Sequence, residues 1–196
     1  MFMPHYQLIA DVISLQNGQT LVDIGTGPGW LPIKIAARFP QATVIGIDLS
    51  EKMIAIANKN KARHSNAPHL TFRVADAGAL PFETSSIDQV VSTGVMHHWK
   101  DPVKIFNELY RVLKPGCEAW IYDGYGSASD EAIKKGIKKI LPGFPSQGFV
   151  RKILGIHGFS QTEYETVIRD RIAQTPFKTC ALEDCGIMMK VKLVKR

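Results

Sequence analysis

The chain has 196 residues, 45% hydrophobic and 21% charged, the balance of one globular domain rather than of a disordered or fibrous chain. No apolar run approaches the roughly 18 residues of a membrane span, and Met1 to Asp11 lacks the basic start and apolar stretch of a secretory signal. The net charge of +6 is uneven: residues 1–129 carry 11 Lys/Arg and 11 Asp/Glu, whereas residues 130–196 carry 13 and 7.

A basic segment can attract phosphate-bearing partners such as RNA. Lys134, Lys135, Lys138 and Lys139 repeat at helical spacing, however, and such a pattern more often marks a solvated helix face. Three cysteines, Cys117, Cys180 and Cys185, are too few for a disulfide framework, and no second pair or nearby His completes a metal site with Cys180 and Cys185. The expected compartment is the reducing cytoplasm, with no metal and no membrane partner.

In chain order, Tyr6, Ile9 and Ile13 predict a short N-terminal helix closed by Asn17-Gly18. Leu21 to Ile24 is an apolar run halted by glycines, and Ile33 to Phe39 has helical spacing up to Pro40. Thr43 to Ile47 reads as a second strand. Ser50 is a natural N-cap for a helix through about Arg63 with Glu51 in its first turn. Leu70 to Val74 and Gln89 to Ser92 are further strands. Pro102 starts a helix through Leu113 that Pro115-Gly116 ends, and Glu118 to Tyr122 is a fifth strand. Beyond it come a lysine-rich helix, a loop at Pro142-Gly143-Phe144-Pro145 and a helix over Ser146 to His157. Two closing strands, Tyr164 to Ile168 and Ile187 to Val194, are expected as an antiparallel pair at the sheet edge.

Strands alternating with helices imply crossover connections and a parallel sheet covered on both faces. The expected fold is therefore α/β: a Rossmann-like seven-stranded, mostly parallel sheet with helices on both faces and the last strand antiparallel. A single domain spans 1–196, divided into an N-terminal helix (1–19), a ligand-binding core (20–123) and C-terminal helices with closing strands (124–196).

The chemistry concentrates at Asp23-Ile24-Gly25-Thr26-Gly27-Pro28-Gly29, directly after the first strand. Glycines here allow a tight turn and a close approach of main chain to ligand, and the helix that follows offers free amides. The dinucleotide fingerprint spaces its glycines G-x-G-x-x-G, whereas here the third glycine comes one residue early and Trp30 stands in its place. The acidic Asp23 would repel a pyrophosphate but suits an ammonium group. That charge logic favours S-adenosylmethionine (SAM), which carries an amino group and a sulfonium, over NAD. Asp48 ends the second strand, where a carboxylate can accept from both ribose hydroxyls.

With these segments in view, the chain resembles the class I SAM-dependent methyltransferases, specifically the methyltransferase type 11 family. The likeness covers roughly residues 20–123. It rests on Asp23 to Gly29, Gly46-Ile47-Asp48-Leu49-Ser50, Asp76-Ala77, Leu80-Pro81-Phe82, Ser86-Ile87-Asp88, Val95 to Trp99 and Leu113-Lys114-Pro115-Gly116, in the family's order. The resemblance implies that Asp23, Gly25, Gly27 and Gly29 form the loop around the methionine end of SAM, and that Asp48 holds the ribose. By the same likeness Leu49 and Met53 lie near the adenine, Asp76 and Ala77 read its edge, and Thr93 with Gly94 passes below the cofactor. Relatives often continue the last motif with a second glycine, where this chain has Cys117. The stretch before the first motif is short for the N-terminal lid that relatives often carry.

Methyl transfer asks the protein mainly for geometry, since the cofactor carries the reactive group and S-adenosylhomocysteine is the product. His97 and His98, after the fourth strand, are the candidate acceptor-side bases. Trp99, Trp30, Tyr122 and Tyr125 are candidates for an aromatic wall. The Asn/Asp-Pro-Pro-aromatic motif of amino-methylating nucleic-acid enzymes is absent from Ser92-Thr93-Gly94-Val95, and no cysteine stands where base-carbon methylation needs one. A small-molecule acceptor is the leading expectation. The alternatives are a SAM-binding subunit without catalysis, an RNA methyltransferase using the basic C-terminal third, and an NAD(P)-dependent oxidoreductase.

Overall fold

The computed structural model describes residues 4–124, 161–185 and 188–196. Among the described residues, seven strands form one sheet in the order β3-β2-β1-β4-β5-β7-β6. They are β1 (Thr20–Ile24), β2 (Thr43–Asp48), β3 (Leu70–Val74), β4 (Ile87–Thr93), β5 (Leu113–Gly124), β6 (Ala181–Asp184) and β7 (Met188–Val194). The first five run parallel, β7 pairs antiparallel with β5, and β6 pairs antiparallel with β7. Among the described residues the helices are α1 (Pro4–Val12), α2 (Trp30–Arg38), α3 (Glu51–His64), α4 (Pro102–Val112) and α5 (Gln161–Ala173).

β1 is buried on both faces, as the central strand of a parallel sheet must be. Its alternation feeds two cores. Leu21 joins Val44, Leu70 and Val91 beneath α1, α2 and α3, whereas Val22 and Ile24 join Val90, Ile121 and the buried side of α4 and α5. On α4 the buried stripe Ile105, Phe106, Leu109 and Val112 follows the 3.6-residue repeat. Asp101 caps that helix by accepting from Lys104 N at 3.0 Å, with Pro102 in its first turn.

β1 to β5 and β7 fall where the residue patterns place them, with two differences of detail. α2 begins at Trp30, directly on Gly29, so Pro32 lies in its first turn, where a missing N–H costs little. β5 begins at Leu113 rather than Glu118, because Pro115-Gly116 is a bulge and not a terminus: Ile87 pairs with Leu113 but Gln89 with Glu118. Gly116, at φ +79°, makes that turn, and its N–H bonds to Lys195 O.

One element is corrected. Tyr164 to Ile168, expected as the sixth strand, lies within α5. Its β-branched content suggests a strand, but Ile168 and Ile172, four residues apart, are both buried against the α4 side of the sheet, and that helical spacing decides the segment. The sixth strand is Ala181–Asp184, an edge strand with mostly exposed side chains, held by its ladder to β7 rather than by an apolar face. The lysine-rich helix, the Pro142 to Pro145 loop, the Ser146 to His157 helix and Tyr125 lie outside the described residues.

Candidate active site

Between β1 and β4 the strand order reverses direction along the sheet, and in open α/β sheets ligands bind at the carboxyl ends around such a point. β1 to β5 run parallel, so the turns after β1, β2, β3 and β4 lie at that same end of the sheet.

After β1 the chain passes Gly25, Gly27 and Gly29, each with positive φ. The glycines are needed for different reasons. A Cβ on Gly29 would sit 2.6 Å from Phe72 Cζ and 2.9 Å from Ala57 Cβ, so its absence lets the loop close onto β3 and α3. A Cβ on Gly25 would meet Val95 at 2.5 Å. Gly27 and Gly94, in contrast, border open space, where backbone can approach a ligand.

The loop is tied to β2. Thr26 N donates to Ile47 O at 2.8 Å, and Gly27 N donates to Asp48 Oδ2 at 2.8 Å. The other oxygen of Asp48 accepts from Ser50 N at 2.9 Å, and Ser50 caps α3 by accepting from Met53 N. One carboxylate thus joins the glycine loop to the start of the helix carrying Met53. Leu49 between them is 74% exposed, a large apolar side chain presented outward at the strand end. After β3, Ala75 N bonds to Asp48 O, and Asp76 Oδ1 accepts from Gly78 N at 2.8 Å. That turn leaves Asp76 exposed, with Ala77 half-buried behind it.

Asp23 is 2% exposed. Burial, followed by the nearby Asp48 charge, pushes its carboxyl up to about 7. Thr26 opposes the rise, although its own buried Oγ1 has no partner at normal hydrogen-bond geometry. Tyr6, on α1, is near enough to Asp23 for that charge to add to burial in raising its phenol. Tyr6 belongs only to a helical stripe in the sequence, and nothing local in the chain predicts its approach to the motif.

Thr93 ends β4 with its Oγ1 buried and unpartnered. The chain then makes a 3₁₀ turn over Met96–His98. His97 is anchored to Asp123 at the end of β5: its backbone N donates to Oδ2 at 2.9 Å, and its ring Nδ1 lies 2.9 Å from Oδ1. The sequence by itself assigns Asp123 no partner. It lies 26 residues from His97 and carries no motif of its own.

Trp99, Trp30 and Tyr122 do not form one wall. Trp99 meets Phe106 edge-on in the α4 core, whereas Trp30 stacks toward His64 and Tyr122 is buried beneath α1 and α2. Among the described residues no group of three His, Cys, Asp or Glu side chains is placed to hold a metal.

These features fit SAM. Open backbone at Gly27 and Gly94, unpartnered threonine hydroxyls, two acidic side chains and an outward leucine match an adenosine with a cationic amino-acid tail. A pyrophosphate would meet Asp23 and Asp48 instead of donors.

A family model described as a methyltransferase domain matches residues 22–121. The chain is 37% identical over 117 residues to phosphoethanolamine N-methyltransferase 2 of Caenorhabditis elegans, covering 58% of this chain and 26% of that protein. It is 39% identical over 98 residues to malonyl-[acyl-carrier protein] O-methyltransferase of Hahella chejuensis, covering 50% and 34%. These curated relatives extend well beyond the matched segment. A crystal structure of a candidate SAM-dependent methyltransferase from Methanococcus maripaludis superposes with TM-score 0.75 at 25% identity, over 98% of this chain and 85% of that one. With this match, fold and loop geometry, the chain belongs to the methyltransferase-domain family of class I SAM-dependent methyltransferases.

Proposed function

We propose that the protein transfers a methyl group from SAM to a small-molecule acceptor. The observation that carries this is the acid-lined glycine cradle, in which Gly27 N is bound to Asp48 at 2.8 Å beside the buried Asp23. In this reading Asp23 faces the methionine ammonium and the Gly25-Gly27-Gly29 turn shapes the loop around it. Asp48 accepts from the ribose through lone pairs left beside its two backbone bonds, Leu49 and Met53 flank the adenine, Asp76 and Ala77 read its edge, and Thr93 and Gly94 floor the site. When bound, SAM supplies a methyl carbon on a sulfonium that departs as a neutral thioether. The residues around it hold donor and acceptor in line, an effect worth about 7–11 kcal/mol in well-oriented systems.

His97 and His98 stand on the acceptor side. A small acceptor is favoured over RNA by the substrates the relatives are named for, phosphoethanolamine among them, and on β7 Lys190 and Lys192 are ion-paired with Glu183 and Glu118. Three free thiols suit a reducing compartment, and the cytoplasm is the proposed one. Among the described residues no helix is long and apolar enough to cross a membrane.

Calorimetric titration with SAM, S-adenosylhomocysteine and NAD tests the cofactor. Binding of the first two without the third is the expected result. Binding of NAD alone overturns the reading.

A further inference from the structure

Asp123 is 1% exposed, and three nitrogens converge on its two oxygens. Gly124 N donates to Oδ1 at 2.8 Å, His97 N to Oδ2 at 2.9 Å, and His97 Nδ1 lies 2.9 Å from Oδ1. Two of these are backbone N–H groups that can only donate, one to each oxygen, so both oxygens act as acceptors. An acceptor at Oδ1 requires the proton of a neutral His97 ring to reside on Nδ1. Nε2 then carries the lone pair. Among the described residues the Nε2 side has no hydrogen bond, and the side chain is 28% exposed.

His98 lacks this arrangement. Its ring lies 3.9 Å from that of His97, and its backbone N bonds to Val95 O, but among the described residues no carboxylate orients its side chain. Two adjacent histidines that look equivalent in the sequence are therefore chemically distinct. The distinction comes from β5, whose Tyr122 pairs with Thr93 of β4 and so brings Asp123 beneath the turn that follows.

From this geometry we infer that Asp123 is a positioning residue that sets His97 as an Nε2 base, and that the acceptor bears a proton on its reacting atom. The inference rests on the methyltransferase reading and narrows it. A general base contributes only where the nucleophile must lose a proton. An oriented, carboxylate-backed imidazole has no such use for an ionised carboxylate acceptor, which already offers a free lone pair. Acceptors that bear such a proton include a hydroxyl and an N–H amine. As the acceptor's lone pair forms the bond to the methyl carbon, its proton passes to Nε2. The resulting imidazolium is balanced by Asp123 and releases its proton to water.

Imidazole 15N spectra of the 15N-labelled protein test the arrangement without any acceptor. The wild-type protein is expected to show His97 protonated at Nδ1 and His98 mostly at Nε2, the tautomer that free imidazole side chains favour in water. In Asp123→Ala, His97 is expected to revert to Nε2–H while SAM affinity by calorimetry is unchanged. Nε2–H at His97 in the wild type, or Nδ1–H persisting in Asp123→Ala, overturns the proposal. If the variant does not fold, the wild-type tautomer decides alone. The acceptor class is read with labelled SAM and ethanolamine, phenol and acetate as probes. Methylation of acetate at a rate matching the other two overturns the class. Failure of the wild type to bind SAM counts against the methyltransferase reading and leaves the tautomer result standing.

Discussion

The two halves of the site are built differently. At the ends of β1, β2 and β3 the functional groups lie within short contiguous stretches, 23–29, 48–53 and 76–78, and much of their geometry is backbone: positive φ at glycines, a cap at Ser50, a turn at Asp76. At the ends of β4 and β5 the key pair is made of side chains 26 residues apart, His97 and Asp123. In the proposed reading, a cofactor common to many reactions is thus gripped by local structure. In the same reading the acceptor, which differs between relatives named for phosphoethanolamine and for malonyl-[acyl-carrier protein], is met by a tertiary contact that can change without disturbing the grip.

Mutation can separate the two halves. The largest expected effect is on the acceptor side: His97→Gln should slow turnover about 10²–10⁴-fold with little change in SAM affinity. Equal loss of SAM binding would erase the division. Next is Gly29→Ala, where the new Cβ would sit 2.6 Å from Phe72 and 2.9 Å from Ala57 on backbone at φ +79°. Overpacking typically costs about 1–3 kcal/mol, and left-handed backbone adds about 1–2. Denaturant melts should show the sum, and should show only the backbone part for Gly27→Ala, whose Cβ meets open space.

Asp48→Ala removes the carboxylate joining the glycine loop to α3. SAM affinity should fall about tenfold or more, since bonds to charged groups are worth about 1.5–3 kcal/mol. Unchanged affinity would mean that the ribose is held elsewhere.

The smallest expected effect is graded with pH. Asp23 is pushed up to about 7, so below that pH it is protonated, and binding an ammonium must expel the proton. SAM affinity should therefore decline as pH falls below about 7, by at most about tenfold per pH unit, and stay level above it. Asp23→Asn should abolish this slope. The same raised value gives the sign for stability. Asp23 contributes most below its unfolded value of 3.8, and that contribution is lost as pH rises toward about 7. Asp23→Asn should therefore gain on the wild type between those limits in parallel melts.

Much of this was legible in the residues. The strand–glycine–helix unit, the capped helix at Ser50 and the strand-terminal Asp48 each announce themselves within a few positions, because glycine punctuation, β-branched runs and capping groups act over one turn or one strand. Different roles for the three glycines were not legible: Gly29 is required by Phe72 and Ala57, and Gly25 by Val95, which only folding brings near. Nor was α5, since Tyr164 to Ile168 alone carries strand-like composition and the buried pair Ile168 and Ile172 counts only against a core.

What the sequence determined by itself was the α/β alternation and the glycine turn after β1, because both depend on local backbone preferences and short apolar periodicities. The tertiary structure alone decided the edge strand β6, the approach of Tyr6 to Asp23, and the contact of Asp123 with His97 rather than with His98. Each depends on which distant segments become adjacent. Parallel pairing of β4 with β5 sets Thr93 beside Tyr122, so a buried carboxylate meets one histidine of the pair.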